Sequence, residues 1–159
     1  MVNYEDDYLW GEAQQRRIFP TLEKKWKGLR PQSRYAKYDA ISDEVNMEIK
    51  SRKNLKWNSY PTTLLTMNKI SDTSKPNIFI FNFVFDMTRN KSEIYYIEYD
   101  EEKFSKYERK MFSRAQIKSD EKDYVYIPVE DLIFLHKDTY EVGKCLLLAK
   151  PKPQMVEAI

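Results

Sequence analysis

The chain has 159 residues, a formal net charge of +2, one cysteine and one histidine, with 33% charged and 14% aromatic residues. That length supports one domain whose core needs neither disulfides nor a structural metal, and the aromatic content argues against a disordered chain. Cys145 alone excludes an intrachain disulfide and a cysteine-rich zinc site, His136 alone excludes zinc centres built on several histidines, and Gly11, Gly28 and Gly143 cannot make a dinucleotide fingerprint or a phosphate-cradling loop.

The opening MVNYEDDYLW is acidic and lacks a basic-then-apolar leader pattern. No apolar run approaches a membrane span. With the single cysteine, this leads to an expected intracellular setting, cytoplasmic or nuclear, with no membrane partner. The bias toward Lys, Asn, Tyr and Ile suits an AT-rich genome, such as that of a virus or phage.

Tyr4 to Phe19 reads as a helix, with Tyr8, Leu9, Ala13 and the Arg16 stem as its apolar stripe and acids in the first turns. Pro20 is expected to kink or restart it, with Thr21 to Trp26 as a second short helix. Gly28 and Pro31 mark a loop. Tyr38 to Ile41 and Val45 to Ile49 read as two strands joined by a tight turn. Ser59-Tyr60-Pro61 looks like a helix start, making Thr62 to Met67 a short helix. Ile78 to Asp86 is the strongest strand: Phe79, Phe81, Phe83 and Phe85 share one core face, and Ile80, Asn82 and Val84 the other. Asn82 lies near the site or is a satisfied core amide. Arg89-Asn90-Lys91 is the expected hairpin turn into a strand from Glu93 to Tyr99.

Glu101 to Ser113 is ambiguous, with Phe104, Tyr107 and Met111 at helical spacing. Tyr124 to Pro128 reads as a strand, Val129 to Phe134 as a short helix or turn, and Lys144 to Ala149 as a last strand. His136 falls in a loop and receives no role. Tyr95, Tyr96, Tyr99, Tyr124 and Tyr126 are read as lining a sheet core rather than as base-stacking residues. The element order gives an α/β (α+β) domain with a mixed sheet, residues 1–150, and a flexible tail at 151–159 after Pro151 and Pro153.

Chemistry concentrates in KYDAISDEVNMEIKSRK, residues 37–53. A Glu-x-Lys pair means little alone, since Glu23-x-Lys25, Glu101-x-Lys103 and Glu108-x-Lys110 also occur. Glu48-x-Lys50 differs in its setting. Val45, Met47 and Ile49 alternate with Asn46, Glu48 and Lys50, so Glu48 and Lys50 share a strand face. If Asp43-Glu44 form a two-residue turn, or a wider loop keeps the same register, Ser42 pairs with Val45, Ile41 with Asn46, Ala40 with Met47 and Asp39 with Glu48. Opposed carboxylates repel, and a divalent cation would turn that repulsion into coordination. Mg²⁺ is often held by one or two carboxylates plus substrate phosphates. Lys50 could orient a water or stabilise transition-state charge. Glu12 could add a carboxylate, and Lys69 a phosphate contact. The competing reading is a hairpin with a solvated charged face.

The pattern Asp39…Glu48-Ile49-Lys50 resembles the PD-(D/E)XK nuclease superfamily, the restriction-endonuclease-like fold. The resemblance covers the order of elements from about Tyr4 to Leu135, and its specific part is these few residues. Tyr38 stands where the family's namesake proline often stands. The resemblance implies a mixed central sheet flanked by helices. It also implies metal-dependent hydrolysis of phosphodiesters, in DNA ahead of RNA. Asp39, Glu48 and the Ile49 backbone carbonyl would hold Mg²⁺ or Mn²⁺, and Glu12 matches an acid often supplied by the first helix. Lys50 would position the attacking water, and Arg52, Lys53 and Lys69 would grip phosphates. A homodimer would supply the two sites that duplex cutting often needs. Two alternatives stand beside this: a non-catalytic nucleic-acid- or protein-binding domain of the same fold, and an unrelated interaction domain.

Overall fold

The computed structural model describes residues 4–54, 56–113 and 121–139. It is a mixed α/β architecture in three layers. One helix, α1 (Tyr4–Lys25), covers one face of a six-stranded sheet, and a three-stranded sheet covers the other. The large sheet has the order β1 (Arg30–Pro31), β2 (Ala40–Ile41), β3 (Asn46–Lys53), β5 (Asn77–Asp86), β6 (Lys91–Glu98) and β9 (Ile133–Lys137). Among the described residues only β3 and β5 of this sheet run parallel; its other neighbouring pairs are antiparallel. The small sheet has the order β4 (Thr62–Thr66), β8 (Lys122–Pro128), β7 (Arg109–Phe112). The short helix α2 (Glu101–Ser105) follows β6, N-capped by the Asp100 side chain, which accepts from the Lys103 amide.

β5 is central because its sequence suits burial on both faces. Phe79, Phe81 and Phe83 pack with Leu65, Val125 and Ile127 of the small sheet and with Phe104. Ile78 and Ile80 pack on the opposite face with Met47, Ile49, Ile94 and the α1 residues Ile18 and Leu22. The β3–β5 register aligns Glu48 with Phe79, Lys50 with Phe81 and Arg52 with Phe83. Glu48, Lys50 and Arg52 therefore face the small sheet, and Val45, Met47, Ile49 and Ser51 face α1.

Several expectations need correction. α1 is continuous through Pro20. The carbonyl deprived of an N–H donor belongs to Arg16, and both residues lie on the exposed side, where water can serve it. The buried stripe is Gln14, Ile18 and Leu22; Leu9 and Ala13 are exposed. Gln14 can be buried because Arg17 donates to its Oε1 and its Nε2 donates to Asn90 Oδ1.

Thr62 to Thr66 is strand β4 rather than helix. Its β-branched threonines and alternating burial fit a half-covered sheet, and it pairs with β8 throughout. The 101–113 stretch divides into α2 and β7, leaving Met111 exposed. A 3₁₀ turn at Val129–Asp131 leads into β9, so His136 lies on a strand paired to β6 rather than in a loop. The expected strand at Lys144 to Ala149 and the tail fall outside the described residues. Among the described residues, no helix is long and apolar enough to cross a membrane.

Candidate metal and nucleic-acid site

The 38–50 hairpin folds in the register its sequence implies. Ala40 pairs with Met47 and Ile41 with Asn46, and the Ser42 amide donates to the Val45 carbonyl across the Asp43-Glu44 turn. Asp-Glu is a poor two-residue turn pair, and Ser42 compensates: its Oγ accepts from the Glu44 and Val45 amides, both at 3.1 Å. Lys75 Nζ then donates to the Ser42 carbonyl at 2.8 Å.

β2 stops after two residues, and Asp39 carries the ladder one step further with its side chain. Its amide donates to the Met47 carbonyl at 3.0 Å, and its Oδ2 accepts from the Ile49 amide at 2.7 Å. This places the Asp39 carboxyl beside Glu48. The Asp39 carboxyl is raised to about 7, by burial first and then by the nearby Glu48 carboxylate, with the Ile49 amide and the Lys50 charge opposing the shift.

Glu48 is only 3% exposed, whereas Glu23, Glu101 and Glu108 of the other Glu-x-Lys pairs are all exposed. Burial thus separates this pair from the others, and a solvated face does not describe it. Glu48 Oε2 lies 3.0 Å from Lys50 Nζ and 3.3 Å from Lys69 Nζ. Its Oε1 is buried with no hydrogen-bond partner among the described residues. An orphaned, buried carboxylate oxygen near a second carboxyl group is a place where a cation would be stabilised.

These groups lie in a cleft of about 800 Å³ between α1, the 31–39 segment and β3, whose lining includes Glu12, Asp39, Glu48, Ile49, Lys50 and Lys69. Arg52 and Lys53 line it too, but each has a structural contact: Arg52 donates to the Leu64 carbonyl at 2.8 Å, tying β3 to β4, and Lys53 Nζ lies 5.0 Å from the Trp10 ring centroid. Lys69, expected to touch phosphate, is found on Glu48. Its place follows from β4 and the 3₁₀ turn Met67–Lys69, which the helical reading of that stretch obscured.

Glu12 lines the cleft without joining the carboxylate pair. Tyr8 Oη donates to its Oε2 at 2.6 Å and Arg16 Nη1 to its Oε1, and these bonds hold its carboxyl below the usual range. Among the described residues no cluster of three or more His, Cys, Asp or Glu side chains is poised around one point. The expected ligand set thus reduces to two carboxylates and the Ile49 carbonyl. That set fits Mg²⁺ or Mn²⁺, which keep several waters and recruit substrate oxygens. Sequence reasoning missed Gln15, whose Nε2 reaches the Asp39 carbonyl at 3.5 Å, and Trp10 on the rim; neither carries a pattern that stands out on a helix.

Comparison with protein-family models, curated proteins and solved structures finds no match.

Proposed function

We propose that this chain is a metal-dependent phosphodiester hydrolase of the PD-(D/E)XK type acting on nucleic acid. The observation that carries the reading is the buried Glu48 carboxylate, close enough to Asp39 to raise its carboxyl, with one oxygen unpartnered among the described residues and the other held by Lys50 and Lys69. The element order α1, hairpin, central mixed sheet supports the restriction-endonuclease-like fold.

In this reading Asp39 and Glu48 hold Mg²⁺ or Mn²⁺ with the Ile49 carbonyl. When bound, the ion acidifies a water and offsets charge on the scissile phosphate. Lys50 steadies the water for attack. The water gives up a proton to solvent as its oxygen bonds to phosphorus, the P–O bond to the leaving oxygen breaks, and that oxygen takes a proton from solvent. Lys69 neutralises Glu48 from the other side and meets the flanking phosphate. DNA is preferred to RNA as substrate.

The test is a cleavage panel of single-stranded, duplex and branched DNA and RNA, with and without Mn²⁺. Metal-dependent cutting that is lost in Glu48→Gln and Lys50→Ala is expected. Wild-type inactivity on every substrate, or cutting unchanged in both variants, refutes the assignment. A non-catalytic binding domain of the same fold is the second reading, favoured by the two lysines that already neutralise Glu48. It predicts salt-sensitive binding without cleavage.

A further inference from the structure

The rim of the cleft is built differently from its floor. On α1, the Trp10 ring lies 5.0 Å from Lys53 Nζ, and the Tyr8 ring 3.9 Å from the Arg34 guanidinium. Next to the lining residue Arg34, and outside the lining itself, the Tyr35 ring lies 5.9 Å from the guanidinium and is 90% exposed. The positions are held from behind: Glu5 pairs with Arg34 at 3.2 Å, and Glu12 holds the Tyr8 hydroxyl. Each pair sets a cation over one face of an aromatic ring, so a positive charge and a stacking surface lie together, and a nucleotide can use both. Its phosphate seeks a cation, and its base a ring on which to stack.

Burial narrows the class further. The carboxylates sit at the floor, Glu48 nearly without exposure, inside a cleft of about 800 Å³. A floor this buried is reached more readily by a flexible, unpaired strand than by a rigid base-paired helix. The geometry points to a substrate with unpaired nucleotides: the strand enters over α1, its bases stack on Trp10 and Tyr35, and its backbone passes Lys53 and Arg34 toward Asp39 and Glu48. The inference rests on the nuclease reading for its choice of nucleic acid, and it specifies the strand state. Stacking is indifferent to base identity, so weak sequence preference follows.

The test is binding in EDTA, where cleavage plays no part. Fluorescence anisotropy would compare a labelled 12-nucleotide oligo(dT), its oligo(U) counterpart and a blunt duplex, for wild type, Trp10→Ala, Tyr35→Ala and Trp10→Phe. Oligo(dT) or oligo(U) should bind at least ten-fold tighter than duplex. Trp10→Ala and Tyr35→Ala should each weaken single-strand binding about five-fold or more, the low end for one stacked base. Duplex binding should change less, and Trp10→Phe should retain most of the affinity. Circular dichroism and the melting temperature verify that each variant folds. Equal affinity for single strand and duplex, or equal losses on both in the alanine variants, overturns the inference. Metal-dependent duplex cutting alongside that result would leave the nuclease reading intact. Single-strand binding lost in Trp10→Ala, with no cutting of any substrate, would sink the nuclease reading and leave this one standing.

Discussion

Asp39→Asn isolates the strain in the site. Asn keeps the shape and an oxygen for the Ile49 amide, and its Nδ2 can donate to the orphaned Glu48 Oε1. In the wild type without metal, the folded carboxyl is raised from 3.8 to about 7. A raised acid binds its proton more tightly in the folded state. The stability it contributes is therefore complete below pH 4 and is lost as pH climbs toward 7. About three pH units at 1.36 kcal/mol each set a ceiling of ~4 kcal/mol, and relaxation around the buried carboxyl reduces the expectation to ~2 kcal/mol. The assay is thermal unfolding in EDTA from pH 4.5 to 8. The wild type should lose stability across this range relative to Asp39→Asn, and the difference between the curves removes contributions from other acids. At pH 7.5 the variant should melt about 4–8 °C higher and be inactive. Mg²⁺ should raise the wild-type melting temperature and leave the variant's nearly unchanged. A variant no more stable than wild type at pH 7.5, with parallel pH curves, would show that the two carboxylates do not repel, and the cation argument would fall with them.

Other expectations are simpler to test. Lys50→Ala and Lys69→Ala should each cost about 1 kcal/mol, because the other lysine still faces Glu48, whereas the double variant leaves a buried charge uncompensated and should cost ~3–5 kcal/mol by urea unfolding. Asn82 is fully buried, donates to Ser51 Oγ at 3.0 Å and leaves its Oδ1 without a partner among the described residues. Replacing the pair by Asn82→Val with Ser51→Ala should be neutral or stabilising, while Ser51→Ala alone should cost ~1–3 kcal/mol. Gly28 has φ +77 and open space where a Cβ would project, so Gly28→Ala should cost only the backbone strain of about 1–2 kcal/mol, read by thermal unfolding. Phe81→Ala empties the interface between the two sheets and should cost ~3–5 kcal/mol.

What could be read from the sequence was whatever a short stretch decides for itself. The 38–50 hairpin depends on strand alternation and a two-residue turn, and both lie within it; the Phe-rich β5 announces itself by its apolar density. The errors arise where distant partners decide. Pro61 suggested a helix start, but β8 supplies a strand for Thr62 to Thr66 to pair with. β9 shows no alternation of its own and is held by β6. The buried stripe of α1 includes a glutamine whose partners, Arg17 and Asn90, come from α1 itself and from the β5–β6 turn. The site shows the same division. Asp39 and Glu48 met because the hairpin register alone places them. Lys69 on Glu48, and the two bonds that occupy Glu12, followed from tertiary packing and from side-chain choices open to any exposed helix acid.

Glu48 Oε2 receives one lysine from each sheet, Lys50 from β3 and Lys69 from the turn that follows β4. The carboxylate is thus a latch between the layers as well as part of a site. Docking of the small sheet both buries this carboxylate and brings its second counter-charge, so the cost of desolvation and its compensation arrive in the same step. Sliding one sheet over the other would be felt first at this oxygen, and a strand of nucleic acid drawing Lys69 toward its phosphate would pull on the same joint. Substrate capture and the mechanical coupling of the two sheets would then be a single event, measurable as a change in hydrogen exchange along β4 when an oligonucleotide binds.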